Sequence, residues 1–319
     1  MMISLIGLQI VLPLVLIAGL AIAHPRNLLG FALQALVTAM TLVAIARLGV
    51  WMFPPWWTPY LYGVLLVVAV VIGCRRRQPL QPLPSHWLGW MTTVAFVAFG
   101  VWVGNAAWQS WAGRLPPPIP VVDLTFPLQG GEYLIVHGGS NLQINPHMKT
   151  LDESVPRFRA YRGQSYGVDL VQLDRFGLRA DGILPDELAA YQIYGEPVLA
   201  PCAGTIVQAI DRFPDMPIPQ VDPENRAGNH VILRCGEVDV LLAHFRPQSL
   251  AVEAGMTVQV GDRLAEVGNS GASNEPHLHI SAQRPGPSAA PLSGDPVPIR
   301  FAGQFLIRGD RITPPNNPY

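Results

Sequence analysis

The stretch from Gly268 to Ile280 reads GNSGASNEPHLHI and carries two histidines, His277 and His279, in an apolar strand-like run. Successive side chains of a β-strand point to opposite faces, so these two imidazoles would share one face, about 7 Å apart. That spacing suits two groups that act at one metal-centred site, although two surface histidines on an edge strand would give the same pattern. The approach rich in glycine and asparagine, stiffened by Pro276, favours the metal site.

Two further side chains suited to metal chemistry lie upstream in short apolar segments. His244 stands in LLAHF, residues 241–245, and Asp169 stands in YGVDL, residues 166–170. Three histidines and an aspartate on strand-like segments are typical of a zinc site on the inner wall of a sheet.

Several ordered segments between residues 195 and 281 resemble the lysostaphin-like, or LytM-type, zinc metallopeptidases, which mostly cut peptide bonds in bacterial peptidoglycan. The matching segments besides the two-histidine motif are GEPVLAP (195–201), GTIV (204–207), GNHVIL (228–233), AHF (243–245), GMTVQVGD (255–262) and VGNSG (267–271). A weaker match surrounds Asp169. The similarity does not reach residues 1–115.

The resemblance implies a role for each of the four side chains. In this family the His and Asp of an HxxxD motif and the second His of HxH bind zinc. The first His of HxH and a histidine of an earlier strand act on the water and on the developing oxyanion. Asp169 and His279 are therefore expected as Zn²⁺ ligands. His244 and His277 are expected as acid/base and transition-state groups, for which an imidazole pKa of about 6.5 is suitable.

One position departs from the family pattern. Ser165 stands four residues before Asp169, where the family has histidine, and a neutral hydroxyl is a poor zinc ligand. The chain resembles a subset of the family in which a Gly-Gly-rich segment ends in Asn-x-His before a Tyr-x-x-Asp strand, which implies that His147 is the third ligand. The alternatives are that His147 is an exposed loop residue or that His137 takes the role. His230 is expected to be packed or to face substrate.

Composition separates an apolar first part from the rest of the chain. Of 319 residues, 50% are hydrophobic and 13% are charged, which is unusual for a soluble enzyme, and the apolar excess precedes Arg114. The net charge of −1 and the lack of a basic stripe argue against a nucleic-acid partner. Four membrane spans are predicted, each close to the 20 or so residues that cross a bilayer: 3–23, 28–46, 58–74 and His86 to about Trp108. Residues 21–23, AIA, resemble a signal-peptidase site, but the start lacks Lys and Arg, so cleavage is not expected.

The placement of arginines predicts the orientation of these spans in the bilayer. Arg26 and the triplet of residues 75–77 would lie inside, against Arg47 alone outside. The N-terminus and everything after the fourth span would then lie on the outer, periplasmic face of the cytoplasmic membrane, where a wall-cutting domain would have to act. The aromatic residues between the second and third spans are typical of an interfacial belt.

We predict four segments along the chain: a four-span transmembrane region (1–112), a proline-rich linker (113–121), a LytM-type all-β domain of antiparallel sheets (122–312) and a loose tail (313–319). RLPPPIP, residues 114–120, predicts an extended linker. Short apolar runs punctuated by Gly and Pro predict the strands. These runs are 132–137, 166–173, 204–210, 229–235, 238–245, 256–260, 263–267 and 277–282.

Two cysteines flank a predicted hairpin of the all-β domain. If residue 207 pairs with residue 230, Cys202 faces Cys235, and an oxidising outer compartment would favour a disulfide. Two separate buried thiols are the alternative.

The sequence thus predicts a membrane-anchored zinc metalloendopeptidase acting on peptidoglycan stem peptides or cross-bridges. A second hypothesis is a degenerate LytM-type domain that binds the wall or a partner hydrolase and regulates it. Ser165 favours that hypothesis, whereas the other site side chains argue against it, because a binder needs none of them. A third hypothesis, a sensor or transporter, is disfavoured because the spans carry almost no charge. The sequence indicates no oligomeric state.

Overall fold

The computed structural model describes residues 5–22, 27–75 and 81–314. The chain divides into two compact units, Met1–Ala112 and Gly113–Tyr319. Several residues used above lie outside the described ranges, so the structure does not bear on the orientation, cleavage or tail predictions that use them. They are Ala23, Arg26, Arg76, Arg77 and residues 315–319.

The first unit is built from helices. They are α1 (Leu12–Ile22, continuing a π-helical turn, Gly7–Val11), α2 (Leu28–Leu48), α3 (Thr58–Arg75) and α4 (Trp87–Ala112). By length and composition α2, α3 and α4 could each cross a membrane, which confirms the helices predicted at 28–46, 58–74 and 86–108. The apolar helix Gly7–Ile22 is shorter, and the span predicted at 3–23 stays a prediction.

The π-helical turn fastens the first helix to its neighbours. Tyr62 Oη donates to the backbone oxygen of Gln9 at 2.7 Å. The amide of the Gln9 side chain donates to the oxygens of Val50 and Phe53, both at 3.2 Å. The polar groups of this buried glutamine are therefore satisfied inside an apolar bundle.

The second unit is β-rich, as predicted. Its strands are β1 (Val122–Leu124), β2 (Glu132–His137), β3 (Val168–Leu173), β4 (Pro197–Leu199), β5 (Gly204–Ile210), β6 (Asn229–Cys235), β7 (Val238–Phe245), β8 (Thr257–Val258), β9 (Arg263–Glu266), β10 (Leu278–Gln283), β11 (Pro296–Val297), β12 (Ile299–Phe301) and β13 (Arg311–Ile312). Among the described residues, nine strands form one antiparallel sheet in the order β13-β2-β3-β10-β7-β6-β5-β8, with β11 beside β10. β4 pairs with β9 antiparallel. β1 pairs with β12 in parallel, which is a departure from the predicted antiparallel sheets.

Between residues 113 and 314 the helical segments are short turns, because Pro and Gly interrupt the segments between strands. They are α5 (Pro156–Arg159) and the 3-10 turns Pro146–Leu151, Arg162–Gln164 and Leu188–Ala190. Residues 113–121 contain no helix. The start of that segment is fastened by Ser140, whose backbone N–H donates to the oxygen of Gly113 at 2.9 Å and whose hydroxyl donates to the oxygen of Leu115 at 2.7 Å.

Alternation along the strands separates an apolar face from a polar one. Leu170 of β3 and Ile280 of β10 are fully buried in the main core. Asp169 and His279, which alternate with them, face the other side and pair directly across the two strands. The period of two in the sequence therefore places both side chains at the same point of the sheet.

Cys202 and Cys235 form a disulfide with Cα atoms 6.0 Å apart. The predicted register between the strands was wrong, because Ile210, not residue 207, pairs with His230. The pairing of Thr205 with Arg234 already departs by two residues from the predicted register, and an irregularity between Ile206 and Gln208 shifts the ladder by one more.

Candidate metal centre

Four histidine rings surround the carboxylate of Asp169, whose side chain is 7% exposed. Its Oδ2 atom lies 2.7 Å from Nδ1 of His137 and 2.9 Å from Nε2 of His147. Its Oδ1 atom lies 2.8 Å from Nδ1 of His279 and 3.8 Å from Nε2 of His277. Asp169 is therefore the hub of the site.

Two of the histidines reach this face through irregularities in their strands. In β2, Ile135 pairs with Leu170 but His137 pairs with Asp169, so the ladder shifts between the two positions. Strict alternation would have put His137 on the core side with Tyr133 and Ile135, and the bulge re-aims it.

His244 is the second case of a re-aimed side chain. It has a φ of +70°, a left-handed conformation that costs a non-glycine residue energy and is concentrated at functional sites. Alternation from Leu242, a core residue, would bury His244 in the main core. Its ring instead lies 4.7 Å from that of His277 and 6.0 Å from that of His279.

His147 comes from the 3-10 turn Pro146–Leu151 and not from a strand. Asn145 caps this turn by accepting from the backbone N–H of His147 at 3.1 Å. The Asn145 amide, fully buried, donates to the oxygens of Gly139 and Gly167 at 3.0 and 3.1 Å. One asparagine therefore ties the turn that carries His147 to the start of the strand that carries Asp169.

His244 and His277 are oriented by hydrogen bonds to backbone carbonyls. Nδ1 of His244 lies 2.8 Å from the oxygen of Ser270, and Nδ1 of His277 lies 2.9 Å from the oxygen of Glu275. A carbonyl can only accept, so Nδ1 of each ring carries the proton. In the neutral form both rings leave the Nε2 lone pair to accept a proton.

Burial and the neighbouring histidines act in opposite directions on the pKa of Asp169. Burial alone would raise the pKa of the Asp169 carboxyl, but the surrounding histidines outweigh it and hold that pKa well below its usual value. His147 and His277 act on it through charge, and His137 and His147 also through hydrogen bonds.

Burial lowers the pKa of three histidines of the site, His137, His244 and His279. The pKa of His279 falls to about 4. The pKa of His244 lies well below its usual value because the charges of His277 and His279 add to the effect of burial. The pKa of His137 is also lowered by burial, against the opposing effect of Asp169. These rings are therefore neutral near pH 7, which is the form that binds a metal ion.

The donor set fits a zinc ion in its chemistry. Ligand atoms of His137, His147 and Asp169 all lie within 4.8 Å of one another, and the rings of His147 and His279 lie 4.7 Å apart. Ser281 Oγ lies 3.2 Å from Nε2 of His279 and can accept its proton, which leaves Nδ1 free to bind a metal. Imidazole nitrogen and carboxylate oxygen are ligands that Zn²⁺ accepts.

Comparison with known proteins bears on this site. The sequence profile of peptidase family M23 matches residues 188–291, a range that includes His244, His277 and His279 but not Asp169. An uncharacterized metalloprotease of Haemophilus influenzae is 36% identical over 121 residues, which cover 36% of this chain and 23% of that relative. The chain contains a LytM-type domain, which is similar to peptidase family M23 over residues 188–291. It spans less than a quarter of the length of the Haemophilus relative.

Two solved structures are similar over parts of the LytM-type domain. A zinc-containing peptidase from Vibrio cholerae is 20% identical, with 36% of this chain and 26% of that chain covered and a TM-score of 0.24. The catalytic domain of lysostaphin from Staphylococcus simulans is 22% identical, with 40% of this chain and 71% of that chain covered and a TM-score of 0.26.

The structure brings all five predicted site residues of the LytM-type domain together. His147, Asp169 and His279, predicted as ligands, are in contact, and His244 and His277 adjoin them. His230, predicted to be packed or to face substrate, is buried in β6, where Nδ1 donates to the oxygen of Gly228 at 2.7 Å.

Sequence reasoning missed or undervalued three residues. His137 was only a competitor for one ligand role, yet it contacts Asp169 as closely as His147 does. Asn145 received no role, although Asn before Pro at the start of a turn is a recognisable cap signal. Arg308 gave no signal at all. It donates to the oxygen of Val136 at 3.1 Å, and burial lowers its pKa to about 10.

Proposed function

We propose that the LytM-type domain is a zinc endopeptidase that hydrolyses peptide bonds of peptidoglycan stem peptides or cross-bridges. The apolar helices would anchor it in the cytoplasmic membrane, with the domain on the outer face. The observation that carries the proposal is the convergence on Asp169 of His147 from a turn and His279 from a strand, beside two histidines that present Nε2. The family and the Haemophilus relative support peptidase chemistry.

In this proposal His147, Asp169 and His279 would hold the zinc ion. The bound ion supplies Lewis acidity, which lowers the pKa of water to about 7 and polarises a carbonyl. His244 accepts a proton at Nε2, a transfer for which its neutral state at pH 7 is suited. His244 would then return that proton from Nε2 to the leaving amine. Nε2 of neutral His277 carries a lone pair and no proton, so it would accept a hydrogen bond from the attacking water and orient it. With both ring nitrogens protonated, His277 would instead donate from Nε2 to the developing oxyanion.

The second candidate function is a LytM-type domain that binds the wall or a partner hydrolase and regulates it without cutting. His137 is the observation that favours it, because its Nδ1 lies 2.7 Å from Asp169 Oδ2. With His137 added to His147, Asp169 and His279, four protein donors would close the coordination sphere. A closed sphere is typical of structural zinc sites, whereas catalytic sites keep one position open.

Zinc content and digestion of the full-length chain in detergent test both candidates. We expect one zinc per chain in the unaltered protein, and loss of it in His147→Ala and in His279→Ala. His86→Ala changes an exposed histidine and serves as the control. Cleavage of cross-linked muropeptides supports the endopeptidase. A zinc-loaded protein that leaves every cross-linked muropeptide intact, and gains no activity in His137→Ala, supports the regulator.

A further inference from the structure

Arg179 and Glu275 form a buried ion pair beside the site, with side chains that are 2% and 8% exposed. Nε of Arg179 lies 3.0 Å from both carboxylate oxygens, and Nη2 lies 2.8 Å from Oε2. Removing two charges from water is costly, and a buried pair often adds no more stability than apolar residues of the same volume would. Stability alone therefore does not explain this buried ion pair.

The backbone of Glu275 connects the ion pair to His277. The oxygen of Glu275 accepts from Ser273 Oγ at 2.8 Å and from Nδ1 of His277 at 2.9 Å. Because the hydroxyl proton of Ser273 is directed to that oxygen, Ser273 Oγ acts as an acceptor toward Nδ1 of His277, 3.0 Å away. Both neighbours of Nδ1 are thus acceptors, and His277 is held as the Nδ1–H tautomer with Nε2 toward the metal centre.

Arg179 is fixed independently by the loop between β3 and β4. Gln192 donates to its backbone oxygen at 2.9 Å, its Nη2 donates to the oxygen of Ile183 at 3.0 Å, and its guanidinium lies over the ring of Tyr191 at 5.6 Å. A guanidinium fixed in this way holds Glu275 at two points, which sets position as well as distance.

We propose that Arg179 and Glu275 are positioning residues for His277, an inference that rests on the proposed peptidase function. The ion pair fixes the Glu275 peptide group, and the carbonyl of that group fixes the tautomer and orientation of the imidazole. In this role neither side chain would bind substrate or metal. Partners of this kind, one step removed from the reacting groups, typically change activity about 10- to 100-fold.

The test compares Arg179→Met/Glu275→Met, which replaces the pair with apolar side chains of similar volume, with the unaltered full-length chain in detergent. We expect one zinc per chain and a KM within about twofold, but a kcat lower by about 10- to 100-fold. In ¹⁵N-histidine spectra the His277 signals should change from the Nδ1–H pattern to a mixture of tautomers. Arg179→Lys, which keeps the charge but loses the two-point contact, should give intermediate values and serves if the double variant does not fold.

Arg234→Met is the matched control, because it removes a partner of the ion pair with Asp239, at the turn between β6 and β7. It should leave kcat and the His277 spectrum unchanged. A pair variant that keeps both the unaltered kcat and the Nδ1–H spectrum overturns the inference. A pair variant that loses both bound zinc and kcat, without a change in the tautomer of His277, also overturns the inference. If the unaltered protein cuts nothing, the proposed function fails, while the spectra still decide the positioning of His277.

Discussion

Ser165 Oγ lies 2.8 Å from Thr150 Oγ1 and 2.6 Å from the oxygen of Arg162, and its single proton is shared between these two acceptors. Thr150 in turn donates to the oxygen of His147 at 2.8 Å. The serine at the place of the family histidine therefore helps to hold the turn from which His147 reaches Asp169. A residue that departs from the family pattern has a definite structural function here.

Removal of the Ser165 hydroxyl should make the turn that carries His147 less stable. Ser165→Ala leaves the half-buried Thr150 hydroxyl without one partner, and we expect the free energy of unfolding to fall by about 1 kcal/mol. Zinc affinity should weaken while one zinc per chain is still bound at saturation. Chemical denaturation and a metal-competition titration measure the two effects. Ser154→Ala, at an exposed serine bonded to Asp152, should change neither, and equal effects in both variants would contradict the prediction.

Gly167 lies where a side chain would collide with a proposed ligand. An added Cβ would lie 2.5 Å from Cε1 of His279, a contact that forces the ring to move. Gly167→Ala should therefore lose most bound zinc and all hydrolysis, while the circular dichroism spectrum is retained. Gly63→Ala, where an added Cβ meets nothing within 4 Å, is the control. Full zinc content in Gly167→Ala would show that His279 does not bind the metal.

The disulfide should contribute to stability but not to activity. Cys202 and Cys235 are 33 residues apart in sequence, and closing a loop of that size stabilises a protein by about 3 to 4 kcal/mol in the chain-entropy description. Cys202→Ser/Cys235→Ser should lower the free energy of unfolding by that amount, measured with denaturant. Its kcat should be unchanged, because Cys235 lies at the opposite end of the β6–β7 hairpin from His244. Cys74→Ser, at an exposed free cysteine, should leave both quantities unchanged.

His230 predicts a pH dependence of stability that is separate from the metal centre. Burial lowers its pKa, the hydrogen bond to Gly228 opposes this, and the charge of Arg212 adds to it. The unfolded chain, with a histidine pKa of about 6.5, then binds a proton more readily than the folded chain. The free energy of unfolding that neutral, buried His230 contributes is therefore fully present above a pH of about 6.5 and is lost as the pH falls below that value. Between pH 7 and pH 5, His230→Gln should show a smaller loss of unfolding free energy than the unaltered chain, and exposed His86→Gln should not.

The sequence predicted the features that repeat with a period and missed those that interrupt one. The strands at 204–210, 229–235 and 238–245 match β5, β6 and β7 to the residue, because apolar runs bounded by Gly and Pro carry a strong signal. Alternation likewise predicted that His277 and His279 share a face, whereas the proximity of His279 to Asp169 was implied only by the family resemblance. The direction of His137 could not be predicted, since it depends on a bulge that no residue type indicates. The register of β5 against β6 was not predicted either, because alternation within each strand does not fix which residues pair between strands, and a bulge adds a further shift.

The position of the turn that carries His147 also could not be predicted from local sequence patterns. Its position near Asp169 depends on Asn145, whose two donated hydrogen bonds join segments 6 and 22 residues away in sequence. Local patterns do not encode such contacts, so only the resemblance to a family subset pointed to His147. The ion pair of Arg179 with Glu275, 96 residues apart, lay beyond both kinds of reasoning.

Asp169 and His279 stand side by side in the sheet although 110 residues separate them along the chain. β10, which carries His279, lies between β3 and β7 in the sheet. It is synthesised after both of these strands, so the metal centre cannot form before β10 has paired with them. Contacts so distant in sequence form slowly during folding. Only the folded domain would therefore bind the metal ion. A nascent or truncated chain that ends before β10 would have no hydrolytic activity.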